Sequence, residues 1–226
     1  VNLGERTLLA AGGGAAAGLW DVTAEPKLVA DLRDGDFTTY GVAFNAAGDR
    51  LAVATSTGEV ALWTVPATGA PQRSGAVSLG EQTPAKAVAF SPAGADLFVA
   101  GPVNAVAHWR LGGTPKRLAD LNFSFENKQV ISQALAINLS GTELAVGIAG
   151  RRVVRWRLGD AEPVALEPLL GFDSWTNDLA YSRDGSVLLA ANSDQHVYVF
   201  DTATAALRQR LGGSALMTGV ELVGDR

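Results

Sequence analysis

The sequence predicts an all-β chain assembled from a repeated four-stranded antiparallel element, and three observations predict it. Short runs of branched and small apolar residues are bounded by Gly, Pro, Asn, Asp and Ser, the pattern of strands joined by tight turns. No ten-residue segment sustains a helical period, so parallel α/β folds fit badly. An aromatic residue closes a strand-like run at Trp20, Trp63, Trp109, Trp156 and Phe200, at spacings of 43, 46, 47 and 44 residues.

Each strand of the repeat can be placed in order. A first strand ends at Val42-Ala43-Phe44, Val88-Ala89-Phe90, Leu135-Ala136-Ile137 and Leu179-Ala180-Tyr181, about twenty positions before the closing aromatic. A turn follows, carrying Gly48, Gly94, Gly141 or Gly185. The second strand is Leu51-Ala52-Val53-Ala54, Leu97-Phe98-Val99-Ala100, Leu144-Ala145-Val146-Gly147 or Val187-Leu188-Leu189-Ala190. The third ends in the aromatic, and a looser stretch such as Gly75 to Leu79 or Glu162 to Leu166 leaves room for a fourth. The Gly-rich run Gly12 to Gly18 formally fits a dinucleotide-binding loop. That loop needs a helix behind it to present amides to phosphate. Here Leu19-Trp20-Asp21-Val22 and then Pro26 follow, so a hairpin turn is expected.

A four-stranded element recurring at this period predicts a β-propeller, with about five blades in the chain. The registers Phe-Ser-Pro-Ala-Gly at 90–94 and Leu-Trp-Asp-Val at 19–22 resemble the WD-repeat family, and the resemblance covers essentially the entire chain. The chain departs from that family's pattern in three ways. Only Trp20-Asp21 reproduces the Trp-Asp pair, and no repeat has the Gly-His pair before its first strand. The turn Asp favoured six residues before the aromatic is Gly14, Thr57, Val103 and Gly150 here, and only Asp194 complies. The family's buried Asp-His-Ser-Trp network is therefore not expected, and the blades should rely on apolar packing and backbone ladders.

Four complete repeats lie between Tyr40 and Met217. A fifth forms if Thr218 to Leu222 pairs with the N-terminal strands ending at Trp20, a closure that would remove two open sheet edges. The alternative is part of a larger ring whose remainder is absent or supplied by another chain, an incomplete ring that would allow self-association. With 47% hydrophobic and 18% charged residues, all 226 residues are expected to fold as one domain, 1–226.

Composition also excludes function classes. Acidic residues outnumber basic ones, 23 to 18, for a net charge of -5, whereas a nucleic-acid binder needs a concentrated positive face. The densest basic run, Arg151, Arg152, Arg155 and Arg157, reads as solvated strand-edge charge, with an anion site as the alternative. Cysteine is absent, which removes disulfides, thiolate metal sites and cysteine nucleophiles. No apolar run approaches the ~18 residues that span a bilayer, and no charged-then-apolar leader opens the chain, so a cytoplasmic protein is expected. Val1 in place of Met reads as an excised or processed domain, and high Ala and Arg with few Lys points to a bacterial source.

Two histidines leave little catalytic material. His108 and His196 fall on opposite sides of their blades by two-residue periodicity, so no histidine metal site and no cofactor are expected. Asp194-Gln195-His196 supplies an acid and an imidazole on one side of a strand start, but Ser193 is wrongly related to serve as nucleophile. Capping of the turn is the simpler role for Asp194.

Surface recognition remains. The resemblance implies that loops entering the first strands, with the turns between second and third strands, form the partner face. These loops carry Phe37 and Tyr40, Phe123 and Phe125, and Phe172 and Trp175, and aromatics are favoured interface anchors. The expected contacts are Phe37, Tyr40, Phe125, Trp175 and Asn177, with packing between blades as the alternative for each aromatic. The expected activity is a non-catalytic scaffold or sensor that binds a protein or peptide. Its rival is a propeller enzyme or small-ligand binder, because Val197 to Thr204 is similar to repeats of lactonase-like propellers.

Overall fold

The computed structural model describes residues 1–33, 35, 37–80, 83–126, 128–159 and 162–222. Every regular element among them is a strand, and no helix is long and apolar enough to cross a membrane. The chain forms two compact units, Val1–Pro102 with Val106–Asp120, and Val103–Ala105 with Leu121–Arg226. Both are built from four-stranded antiparallel blades of the β-propeller kind, five in all.

Three blades belong to the first unit. They are β1 (Asn2–Leu3), β2 (Arg6–Gly13), β3 (Ala16–Asp21) and β4 (Lys27–Asp31); then β5 (Thr39–Phe44), β6 (Arg50–Thr55), β7 (Glu59–Thr64) and β8 (Gln72–Ser78); then β9 (Ala87–Phe90), β10 (Asp96–Ala100), β11 (Ala105–Arg110) and β12 (Lys116–Arg117). In the second unit β13 (Leu121–Asn122) precedes two blades. One is β14 (Ser132–Ile137), β15 (Glu143–Ile148), β16 (Arg152–Arg157) and β17 (Val164–Leu169); the other is β18 (Thr176–Tyr181), β19 (Val187–Asn192), β20 (His196–Asp201) and β21 (Leu207–Gly212).

One turn design joins first strand to second in four blades. Asn45, Ser91, Asn138 and Ser182 each accept, on the backbone carbonyl, the amide of the Gly three residues on, at 2.7 to 3.0 Å. The side-chain oxygen of the same residue accepts a second amide, from Arg50, Asp96, Glu143 or Val187, at 2.9 to 3.0 Å. Gly48, Gly94, Gly141 and Gly185 hold φ between 69° and 75°, left-handed backbone that a side chain disfavours. These bonds all lie within a few residues, so each hairpin is specified by its own local sequence. The run from Gly12 to Gly18 is a hairpin as well, turning between β2 and β3 with Gly14 at φ 62°.

In the last four blades the second strands are the most withdrawn. β6, β10, β15 and β19 are buried at every residue after the first, whereas β21 is exposed along its whole length. A strand covered on both faces reads as a continuous apolar run, which explains the Leu, Ala and Val that fill these segments. Side chains from adjacent blades close on one another inside each unit. Leu8, Leu19, Leu51, Val53 and Val65 form one cluster of the first unit, and Val60, Val77, Phe90, Leu97 and Val99 belong to another. Leu169, Phe172, Leu188, Tyr198 and Phe200 centre the core of the second.

Three expectations are corrected. Thr218 to Leu222 forms no strand; the N-terminal blade takes β1 against β2, and the Val220 amide instead donates to Asp178 Oδ2 at 2.9 Å. Arg155 is not solvated edge charge but only 3% exposed, because β16 lies between β15 and β17 and its guanidinium meets Glu143. Apolar packing and backbone ladders are also joined by buried polar networks in the second unit, described next.

Candidate recognition surfaces

Entering loops are tied to the turns between second and third strands by main-chain bonds. The amide of Ser56 donates to the Thr38 carbonyl at 2.8 Å, Ala149 to Ile131 at 3.1 Å, and Ser193 to Trp175 at 2.9 Å. A side chain on such a loop is therefore presented from a fixed backbone.

A second device positions particular residues there. The ladders slip between Thr39 and Gly41, between Ser132 and Ala134, and between Thr176 and Asp178. Tyr40, Gln133 and Asn177 thus occupy the extra position of a β-bulge, a distortion that re-aims one side chain out of the strand's alternation. In each case a small buried hydroxyl residue, Thr39, Ser132 or Thr176, precedes it. This Thr or Ser followed by a larger residue is a signal present in the sequence.

In the first unit Tyr40 is 44% exposed, and Lys86 Nζ lies 3.9 Å from its ring centre, while Phe37 is half-buried. In the second unit Trp175 is 54% exposed. Three residues earlier Phe172 is 4% exposed and packs on Tyr198 and Phe200 with ring centres 4.8 and 5.2 Å away, so for Phe172 the packing alternative holds. Phe125 is half-buried beneath the Arg152 guanidinium, 4.4 Å from its ring centre, with Lys128 Nζ at 5.8 Å. Asn177 is engaged on both sides: its Nδ2 donates to the Met217 carbonyl at 2.7 Å and its Oδ1 accepts from Ser193 Oγ at 3.0 Å.

The acid and imidazole near Ser193 serve the turn. Asp194 Oδ1 accepts the His196 amide at 3.0 Å, and Oδ2 accepts the Tyr198 hydroxyl at 2.5 Å. Burial pushes the Asp194 carboxyl up, but the bonds from Tyr198 and His196 outweigh it and hold it below its ordinary value. His196 Nδ1 sits 2.8 Å from the Asp194 carbonyl oxygen. Ser193 Oγ is spent on Asn177. His108, in the first unit, stacks on Phe98 at 4.4 Å; burial, opposed by Asp96, lowers its pKa. No group of three His, Asp or Glu side chains able to hold a metal ion occurs among the described residues.

A cleft of about 360 Å³ in the second unit is lined by Glu143, Arg155, Arg157, Glu167 and the turn from Thr202 to Ala205. Arg155 does not offer itself to an anion there. Its Nη1 donates to Glu143 Oε1 at 2.9 Å and to the Thr202 carbonyl at 2.7 Å, and Nε and Nη2 donate to the Glu167 carbonyl. The Tyr181 hydroxyl donates to the same Glu143 oxygen at 2.9 Å, and its pKa is raised well above the ordinary value by burial and then by that carboxylate.

This chain is similar to a chromatin assembly factor subunit. It is 28% identical over 152 residues to the chromatin assembly factor 1 subunit FAS2 homolog of Oryza sativa subsp. japonica, which is 62% of this chain and 30% of that protein. The chain thus spans less than a third of that relative's length. No protein-family profile matches it. Its blades and their closing aromatics make it a propeller similar to those of the WD-repeat family.

Residue types alone do not reveal which aromatic is free. Lys86 over Tyr40, Arg152 over Phe125 and the hold of Met217 on Asn177 all join residues 27 or more positions apart, and no local pattern announces them.

Proposed function

We propose that this chain, residues 1–226 acting as one domain, is a non-catalytic WD-repeat module that holds a protein or peptide on its entering loops. Phe37, Tyr40, Phe125, Trp175 and Asn177 are the proposed contacts. The observation that carries this reading is Trp175, a large aromatic kept more than half exposed on a backbone fixed by Ser193. Such a side chain contributes contact area without a backbone ordering cost when a partner arrives. Its bulge neighbour Asn177 and the equivalent Tyr40 are aimed by the same distortion.

The relative is by its name a subunit of an assembly factor, which supports a protein partner for this chain as well. The excess of acid over base opposes a phosphate-rich surface. A cytoplasmic location, a bacterial source and self-association through an incomplete ring complete the reading.

The test is capture of partners from a protein or peptide library on the immobilised chain, compared with Trp175→Ala and Tyr40→Ala variants. Reduced capture by either variant supports the reading. Equal capture by all three removes the proposed contacts, and lactone hydrolysis lost on Asp194→Ala would replace the scaffold with an enzyme.

A further inference from the structure

The head of β18 already grips a peptide. Segment 213–222 lies against it with no regular secondary structure of its own beyond a bend, and two adjacent side chains read its main chain. Asn177 Nδ2 donates to the Met217 carbonyl at 2.7 Å, and Asp178 Oδ2 accepts the Val220 amide at 2.9 Å. One is a carbonyl and the other an amide three residues on, groups that nearly any extended peptide supplies.

We propose that Asn177 and Asp178 form a main-chain clamp for an extended peptide, occupied in cis by residues 215–222 and opened when a basic partner peptide displaces them. The proposal rests on the recognition reading above and names its ligand class and its control.

Three features mark the segment as a displaceable occupant. Both clamp bonds are to its backbone, Leu216 is 57% and Leu222 40% exposed, and no residue from 213 to 222 is fully buried. Trp175, two residues from the clamp, stays 54% exposed while the segment is in place. The segment also carries the wrong charge. Glu221 stands close enough to Asp178 to push its carboxyl up, in the same direction as burial. A Lys or Arg at that position would turn a repulsion into an attraction. The favoured partner is therefore extended, basic four residues after the bonded carbonyl, and apolar where it meets Trp175.

The test uses the full chain and two labelled peptides, residues 215–222 as they stand and the same peptide with Glu221→Lys. In the protein, Val220→Pro deletes the donor that Asp178 reads in cis and leaves the clamp intact. Relief of a competitor held at high effective concentration predicts that this variant binds either peptide at least about tenfold more tightly than the parent. The Lys peptide should bind about threefold to tenfold better than the Glu peptide, less so in high salt. Adding Asn177→Ala and Asp178→Ala should abolish the gain. Hydrogen exchange at the Val220 amide of the otherwise unaltered chain should accelerate at least about tenfold in Asp178→Ala, which covers misfolding of the proline variant.

Equal binding by parent and Val220→Pro, a gain that survives loss of Asn177 and Asp178, or an unchanged Val220 amide overturns the clamp. If partner capture still depends on Trp175, the recognition reading survives without it. If the peptide assays succeed while Trp175→Ala captures normally, the clamp stands and the partner surface lies elsewhere.

Discussion

Glu143 Oε1 lies 2.9 Å from Arg155 Nη1, and the guanidinium that faces it is 3% exposed. The same oxygen takes the Tyr181 hydroxyl, and the remaining guanidinium donors reach the Glu167 and Thr202 carbonyls. The pair thus joins β15, β16, the strand after them and the last blade's turn at one buried point.

Removing Arg155 takes the cationic partner from the mostly buried Glu143 carboxylate and leaves it the Tyr181 hydroxyl. Arg155→Ala should cost about 3–5 kcal/mol of unfolding free energy, read from urea denaturation. Arg155→Met combined with Glu143→Leu should recover part of that loss, because neither buried charge then remains. A loss below about 0.5 kcal/mol for Arg155→Ala would mean the arginine is solvated after all.

Alkaline titration probes the two polar networks together. Burial and then the Asp194 carboxylate push Tyr198 up to about 12, and burial with Glu143 raises Tyr181 well above its ordinary value. Above the ordinary tyrosine range, about pH 10, the unfolded chain has released phenolic protons that the native chain still binds. Stability therefore falls as pH rises. The contribution of these contacts is complete below that range and lost as pH climbs through the raised values. Phenolate absorbance should show both tyrosines ionising late, with Tyr198 returning toward its ordinary value in Asp194→Asn. Ionisation of both in the ordinary range would sink the assignment.

Most of the fold is legible because it is written locally. The Gly at positive φ, the Asn or Ser that accepts two amides and the penultimate aromatic of each third strand all act within one hairpin. What fails to show is what depends on residues distant along the chain. Arg155 reads as surface charge until Glu143 and Thr202, 12 and 47 residues away, are seen beside it. Thr218 to Leu222 has the look of a strand, yet its Val220 amide is taken by a carboxylate 42 residues back. Of the proposed contacts, the exposed pair Tyr40 and Trp175 lay in the entering loops that the repeat register marks out. The bulge that aims Tyr40 needed the ladder.

Two of the three bulges also leave a hydroxyl neighbour stranded. Thr39 Oγ1 and Thr176 Oγ1 are buried without a hydrogen-bond partner among the described residues. Replacing an unsatisfied hydroxyl by a methyl group removes a desolvation penalty, so Thr39→Val and Thr176→Val should each be neutral or stabilising by up to about 1 kcal/mol. The space around Thr176 is tight, however. A Cβ on Gly147 would stand 2.8 Å from Thr176 Cβ and 3.0 Å from its Cγ2, both on a stiff β-branched side chain. Gly147→Ala should cost about 1–3 kcal/mol through overpacking, and Thr176→Ala should relieve it only in part, because the Cβ contact persists. Thermal denaturation of the single and double variants decides both points, and a destabilising Thr176→Val would show that its hydroxyl is satisfied.

Phe172 and Trp175 share one entering loop and should behave oppositely. Phe172 is sealed against Tyr198 and Phe200, and Phe172→Ala should cost about 3–5 kcal/mol. Trp175 is more than half exposed and its backbone carbonyl, not its ring, holds Ser193, so Trp175→Ala should change stability by no more than about 0.5 kcal/mol. An interface anchor truncated without disturbing the scaffold should reduce partner capture while denaturation and circular dichroism stay at parental values. A Trp175→Ala chain that unfolds as readily as Phe172→Ala would show that the ring is part of the core, and any loss of capture would then report unfolding instead of recognition.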